Sequence, residues 1–312
     1  MLTRRDLLAL LGTLAAGGAS AVEGPPPSQA PHAVLPLWPG TPPGGGGPQG
    51  ATVSNPRDAR HNISRPRLTL FHPERPADTL VLIASGGGYR RLEDGNEALP
   101  AGRWLAARGI SAAVLDYRLP GEGWGAGPAA PLQDARRAIR LVRAGGTGIT
   151  PRHVGLLGFS AGAHLMALTA GRAPMGDYPP VDAVDATSDG ADFAAFIYPV
   201  LSLAPDLAPS SAQRIIVGRH PSPEDAARWS AEAYVTSSFP PTFLVQAQDD
   251  PVIDPRQAAR MAQACQSAGV PVELHTLPAG GHGFGMGRAG TPSADWPRWY
   301  GDWLTHPAVP RG

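Results

Sequence analysis

Gly158-Phe159-Ser160-Ala161-Gly162 places a serine between glycines. It lies where an apolar run, His153 to Phe159, meets a helical pattern, Ala161 to Ala170. A strand-to-helix turn this tight tolerates only very small neighbours, and it holds the serine hydroxyl out at the end of a sheet. A free hydroxyl is a poor nucleophile and needs a base within hydrogen-bond reach. His282, in the loop Gly280-Gly281-His282-Gly283, is the candidate base. The acid that would fix its tautomer lies in Asp249-Asp250, at the end of an earlier apolar run. Asp250 is favoured because Pro251-Val252-Ile253 lets the chain turn straight after it. Asp249 also has a valine three residues on, so spacing leaves it open as the alternative. Gly86-Gly87-Gly88 follows another apolar run. Backbone N–H groups of Gly87 or Gly88, with that of Ala161, would form an oxyanion hole. His164 is the runner-up base, but its place on the helix after Ser160 suits a core role better. Asp254 reads as a cap for a helix beginning at Pro255.

These groups need a scaffold that brings several strand ends to one rim. From Arg67 onward the apolar pattern alternates in the α/β manner. Strands are predicted over Arg67–Phe71, Thr79–Ala84, Ile110–Tyr117, His153–Phe159, Phe193–Tyr198, Thr242–Ala247 and Val272–Leu277. Continuous apolar runs such as Leu80-Val81-Leu82-Ile83 suit strands covered on both faces of a parallel sheet. Helices are predicted over Asn96–Arg108, Leu132–Ala144, Ala161–Ala170, Pro255–Ala268 and Ala294–Leu304. In the second of these, Ala135, Ala138, Ile139 and Val142 recur at helical spacing, with arginines opposite. Pro199 to Pro241, with Pro and Ser clusters and short apolar runs, leaves room for a small lid or none.

A chain of 312 residues can bury one large core. Its 26 basic and 26 acidic residues cancel, with no charge block, which argues against nucleic acid as a partner. Every basic residue is Arg. Without lysine there is no PLP Schiff base, no Walker A lysine and no Ser-Lys dyad. The glycine triplet also lacks the Gly-x-Gly-x-x-Gly spacing of a dinucleotide loop. The serine chemistry calls for neither cofactor nor metal. The single cysteine, Cys265, reads as a small packed side chain.

Residues 1–21 read as a targeting segment. Thr3-Arg4-Arg5-Asp6-Leu7-Leu8 is a twin-arginine signature, the apolar run Leu7 to Ala16 follows, and Ala19-Ser20-Ala21 fits a cleavage site. That run is too short and too rich in Gly and Ala for a membrane span, and no cysteine marks a lipoprotein anchor. The expectation is an exported protein, periplasmic or secreted, without membrane attachment after cleavage; an ordinary Sec signal is the alternative route. Residues 22–66, dominated by Pro and Gly, read as a linker with one apolar island, Val34 to Trp38, that docks on the domain. The catalytic domain is expected over 67–306.

In chain order the candidates run nucleophile, acid, histidine. With the motifs around them they resemble the α/β-hydrolase fold, in the branch of small bacterial esterases that includes acetylxylan-esterase-like and feruloyl-esterase-like proteins. The residues that carry this are Ser85-Gly86-Gly87-Gly88-Tyr89, Asp116-Tyr117-Arg118-Leu119-Pro120, Pro131-Leu132-Gln133-Asp134-Ala135, the Ser160 pentapeptide, Asp249-Asp250-Pro251-Val252 and Gly280-Gly281-His282-Gly283-Phe284-Gly285. Leu37-Trp38-Pro39-Gly40 is similar to the lead segment of that branch, and the likeness covers roughly residues 34 to 305. Hormone-sensitive-lipase-type relatives carry His before the glycine triplet, where this chain has Ser85. The resemblance implies a mostly parallel sheet with helices on both faces, and a serine carboxylesterase acting on short acyl groups, acetyl above all, of a small-molecule or oligosaccharide ester. Tyr89 and Trp124 are the expected substrate-contacting side chains, Trp124 by stacking on a sugar ring. The competing readings are an exported peptidase of the prolyl-oligopeptidase type and a non-catalytic carbohydrate-binding protein on the same fold. The first needs a large N-terminal propeller, for which residues 22–66 give no room.

The targeting reading predicts a mature chain beginning near Val22, checked by mass spectrometry of periplasmic material. Arg4→Lys combined with Arg5→Lys should block export, because the twin-arginine route reads both guanidiniums. Unimpaired export of that double variant would favour the Sec route.

Overall fold

The computed structural model describes residues 31–75 and 78–310. The targeting segment and the first part of the expected linker lie outside them. The described residues form eleven strands, β1 (Ala33–Pro36), β2 (Val53–Ser54), β3 (Ala59–His61), β4 (Arg67–Phe71), β5 (Thr79–Ala84), β6 (Leu92–Glu93), β7 (Ser111–Asp116), β8 (His153–Phe159), β9 (Phe193–Ile197), β10 (Thr242–Ala247) and β11 (Val272–Leu277). Among the described residues seven α-helices accompany them: α1 (Ala98–Ala106), α2 (Ala130–Arg143), α3 (Ala161–Ala170), α4 (Ser211–Ile216), α5 (Pro223–Arg228), α6 (Arg256–Ser267) and α7 (Trp296–Trp303).

Eight strands join in the order β1-β4-β7-β5-β8-β9-β10-β11. From β7 to β11 every neighbour is parallel, while β4 runs antiparallel to both β1 and β7. The apolar runs are buried from end to end in β5, β7, β9 and β10, as strands covered on both faces require. Leu80, Leu82, Leu115 and Leu156 pack on one face with Ala138, Ile139, Leu165 and Met261 of α2, α3 and α6. Val81, Ile83, Val114 and Phe243 pack on the other with Leu105 of α1 and with Trp296, Tyr300 and Trp303 of α7. Cys265 is buried in α6, and burial pushes its thiol up to about 11.

The described part of the stretch read as a linker packs on the domain, beyond the island Val34 to Trp38. Residues 33–36 form an edge strand, with Val34 opposite Thr69 and Leu35 opposite Leu68. Leu37 and Trp38 then sink against α2, and Ile63 is buried further on. The Glu122 carboxylate accepts the backbone N–H of Ile63 at 2.9 Å, stitching the return of this stretch to the loop after β7. The physical reason is β4, whose free edge offers a ladder of unpaired backbone groups that a short apolar segment can satisfy.

Two of the motif segments prove to be structural. Arg118 is fully buried, with Nε 2.9 Å from Asp134 Oδ1. Asp134 also accepts the Trp38 indole N–H at 2.8 Å and the Arg118 backbone N–H at 2.8 Å. The guanidinium meets the carbonyls of Pro43 at 2.9 Å and Ala130 at 3.1 Å. One buried ion pair thereby joins α2, the loop after β7 and the N-terminal lead. On the outer side of α2, Arg136 reaches Asp177 and Asp189, Arg137 reaches Asp182 and Asp185, Arg140 reaches Asp185 and Asp189, and Arg143 reaches Asp192. These carboxylates lie on the excursion between α3 and β9, whose described residues carry only the one-turn 3₁₀ helices Pro174–Gly176 and Ala183–Ala186.

Asp134→Ala should destabilise the fold by about 3–5 kcal/mol, because it leaves the Arg118 charge buried and unpaired. Arg118→Met with Asp134→Leu should lose less than that single change. Urea denaturation followed by tryptophan fluorescence measures both.

Candidate active site

Strand register gathers the chemistry at one rim. β5 and β8 lie side by side, with Ala84 opposite Gly158, and Phe159 at the end of β8 lies opposite Ile197 of β9. Ala247 and Leu277 end β10 and β11 together. The glycine triplet, Ser160, the aspartate pair and the His282 loop each follow one of these ends.

Ser160 sits between β8 and α3 with φ +50° and ψ −116°, a backbone conformation that side chains rarely adopt. Its neighbours hold it there. A Cβ added at Gly158 would lie 2.5 Å from Ala163 Cα, and one at Gly162 would lie 2.3 Å from Ala84 O, so neither position has space for a side chain. The Ser160 N–H donates to Ile197 O at 3.0 Å, and its carbonyl accepts from Val200 N at 3.1 Å.

Ser160 Oγ is 2.9 Å from His282 Nε2, and His282 Nδ1 is 2.7 Å from Asp250 Oδ2. Asp250 has no proton to give, so Nδ1–H donates to it and Nε2 is left to accept from the serine hydroxyl. Burial pushes the Asp250 carboxyl up, but its bonds to His282 and to the N–H groups of Ile253 and Val252 outweigh this and hold it below its ordinary value. It therefore stays ionised opposite an imidazolium. Asp249 does not touch the imidazole. Its Oδ1 accepts the N–H of Gly280 at 2.9 Å and of Gly281 at 2.8 Å, gripping the backbone just before His282. On the other side of that loop the Trp296 indole N–H donates to Gly285 O at 3.0 Å.

Gly87 and Gly88 carry positive φ, +109° and +64°. A Cβ at Gly87 would strike Arg91 O and one at Gly88 the Ser211 hydroxyl, each at 2.1 Å. Among the described residues no protein acceptor takes the N–H of Gly87 or Gly88. Ala161 opens α3, where the first N–H groups have no partner within the helix. The Gly86 N–H is already engaged, donating to Glu97 Oε2.

Two expected substrate contacts are corrected. Tyr89 is only 2% exposed and points inward, its hydroxyl 2.9 Å from His164 Nδ1. Trp124 is 5% exposed. Gly47 packs against its ring, and the Arg118 guanidinium carbon lies 5.2 Å from the ring centroid, so no face is open to a sugar. Both are large rings beside glycine-rich turns, and burial of apolar area outweighed display. His164 is fully buried. Its Nε2–H donates to Trp229 O at 2.7 Å, so Nδ1 accepts from Tyr89; burial pushes its pKa down to about 4, and it does not reach Ser160 as a base. Asp254 accepts the Arg256 N–H at 3.0 Å, at the start of α6.

Two residues escaped the sequence reading. Glu97, just before α1, is fully buried, and its carboxyl is pushed up to about 7 by burial, opposed by bonds from the Gly86 N–H and the Tyr198 hydroxyl. Tyr198, just after β9, has φ +38° and sets its ring edge-on to that of His282, centroids 4.9 Å apart. A lone Glu before a helix and a Tyr ending a strand carry no motif, so nothing in the sequence set them apart.

Residues 68–265 match the BD-FAE family. The chain belongs to the BD-FAE family. It is similar to the acetyl ester-xyloside bifunctional hydrolase of Caldicellulosiruptor lactoaceticus, at 31% identity and TM-score 0.72, covering 87% of this chain and 95% of that one. It is also similar to a thermophilic esterase of Thermogutta terrifontis, at 25% identity and TM-score 0.63 over 77% of this chain and 87% of that one. Among curated proteins it is 29% identical over 230 residues to an acetylxylan esterase of Xylanibacter ruminicola, 71% of this chain and 44% of that protein. It therefore spans less than half the length of that relative. The fold is that of the α/β-hydrolase esterases, as the resemblance implied.

Asp250→Asn should reduce kcat by about 10⁴-fold, because an amide no longer selects the tautomer that leaves Nε2 free. Asp249→Asn should cost less than about tenfold, since an amide oxygen still accepts from Gly280 and Gly281, and Asp249→Ala should cost more than that. Steady-state kinetics on p-nitrophenyl acetate decides the order; a worse Asp249→Asn would reassign the acid.

Proposed function

We propose that this protein is an exported serine carboxylesterase that removes short acyl groups, acetyl above all, from a carbohydrate. The observation that carries the reading is the chain of bonds from Ser160 through His282 to Asp250, at 2.9 and 2.7 Å. Ser160 Oγ attacks the ester carbonyl carbon as His282 Nε2 takes its proton. The oxyanion that forms is met by the N–H of Ala161 with that of Gly87 or Gly88. The tetrahedral intermediate collapses, the alcohol leaves with the proton from His282, and Ser160 is left acylated. Water activated by the same imidazole then releases the acid.

The family and the acetylxylan esterase likeness support the carbohydrate acetyl ester as substrate. The short acyl preference rests on the small cap. Between β9 and β10 the described chain has two helices of 6 residues, α4 and α5, and one 3₁₀ turn, Ala231–Tyr234. Each buried CH₂ adds about 0.8 kcal/mol of binding only where a channel shelters it. The twin-arginine signature at Arg4-Arg5 supports export, to the periplasm or beyond.

Ser160→Ala should lower hydrolysis of p-nitrophenyl acetate by about 10³-fold or more with circular dichroism unchanged. Activity surviving in that variant would sink the nucleophile. In the same assay kcat/KM should fall beyond about four acyl carbons, and acetylated xylan should release acetate; a rise through octanoyl would contradict the short-acyl reading.

A further inference from the structure

Behind the Ser160–His282–Asp250 line lies a second polar chain that the proposed mechanism leaves unused. Glu97 is fully buried just before α1. One carboxylate oxygen, Oε2, accepts the Gly86 N–H, and the other, Oε1, accepts the Tyr198 hydroxyl at 2.9 Å. The Tyr198 oxygen in turn accepts the Gly285 N–H at 3.2 Å. A Cβ placed on Gly86 would fall 2.8 Å from Ser160 Cβ and 3.2 Å from Glu97 Oε2, so only Gly86 separates the carboxylate from the nucleophile. The Tyr198 ring packs edge-on against two members of the base loop, His282 at 4.9 Å and Phe284 at 4.5 Å between centroids.

The two ends of this chain lie in two separate segments that the chemistry needs. Gly86 leads into the turn that carries the Gly87 and Gly88 N–H groups. Gly285 and His282 belong to the loop that carries the base. Backbone strands do not join these segments; β5 and β11 are separated in the sheet by β8, β9 and β10. The carboxylate is the shared acceptor that spans them. The geometry points to Glu97 and Tyr198 as a positioning pair that fixes the oxyanion turn and the His282 loop relative to each other. Both side chains are buried and face away from solvent. The inference rests on the esterase reading above, and it adds a role that the nucleophile, base and acid do not fill. Misplacement of a reacting group by about 1 Å is enough to slow a reaction by about 100-fold, so such a pair acts on the rate rather than on substrate binding.

The test uses the full-length protein and three variants: Glu97→Gln, Tyr198→Phe and the two together. Three quantities are read: kcat and KM on p-nitrophenyl acetate, the thermal midpoint, and the low-field proton resonance of His282 Nδ1–H bonded to Asp250. Each single variant should lower kcat by about 10- to 100-fold with KM within about threefold. The double should be no slower than the slower single, because both cut one connection. The low-field resonance should broaden or move in each single variant. Losses that multiply in the double, an unchanged kcat in the singles, or a resonance untouched while only the thermal midpoint falls would each overturn the pair. If Glu97→Gln does not fold, Tyr198→Phe, which removes one oxygen, decides by its rate and its resonance. If the wild type fails to hydrolyse the ester, the esterase reading falls. The resonance of wild type against Tyr198→Phe then still decides whether Tyr198 positions His282.

Discussion

The backbone at Ser160 is where this structure has no freedom. A non-glycine residue at φ +50° persists only when its surroundings over-determine it. Here they do so from every side. Gly158 has α3 against its Cα, Gly162 has the end of β5 against its own, and Gly86 has the serine's Cβ. Replacing any of these glycines would push β5, β8 and α3 apart. The parallel register of β5 with β8 and of β8 with β9 follows from the same crowding, since the elbow borrows Ile197 O as an acceptor and lends Ser160 O to Val200 N.

The carboxyl groups around that turn have been driven in opposite directions by their settings. Asp250 gathers two backbone N–H donors and the imidazole, and it stays an anion. Glu97 is deeper, and burial raises it toward neutrality despite its two donors. Asp249, one residue from Asp250, is exposed and spends its charge on the backbone of the histidine loop. In the turn after β10 the adjacent aspartates face different partners, Asp250 the imidazole and Asp249 the Gly280 and Gly281 N–H groups. One serves the imidazole ring and the other serves the peptide that carries it.

The main strands and helices were readable because each is a long apolar run or a helical repeat bounded by turn residues. The predicted bounds of β4, β5, β8, β10, β11 and α3 coincide with the observed ones. Ser160, His282 and Asp250 were readable because glycines or a proline beside a polar residue mark a backbone under constraint. What failed was anything decided by tertiary packing. Val34 to Trp38 is too short a run to announce an edge strand, and only the open side of β4 makes it one. Tyr89 and Trp124 look available beside glycines, but those glycines let the chain fold over them. Glu97 carries no mark in the predicted helix Asn96–Arg108, and only its bonds with Gly86 and Tyr198 single it out. Spacing favoured Asp250 but left Asp249 open, because the choice depends on which one His282 meets, and that is Asp250.

The arginines of α2 carry one more consequence. The excursion between α3 and β9 has almost no backbone ladder of its own, and its carboxylates meet guanidiniums that each fork to more than one partner: Arg136 to Asp177 and Asp189, Arg137 to Asp182 and Asp185. Asp189 in turn serves Arg136, Arg140 and Arg172. Such an arrangement is a net rather than a row of staples. Severing one knot leaves the neighbours tied, so the excursion has no hinge along which to peel and must lift from α2 as a whole sheet of charge. An ammonium, a compact point charge, cannot fork in this planar way. A chain without lysine has built this wall from the one cation that can.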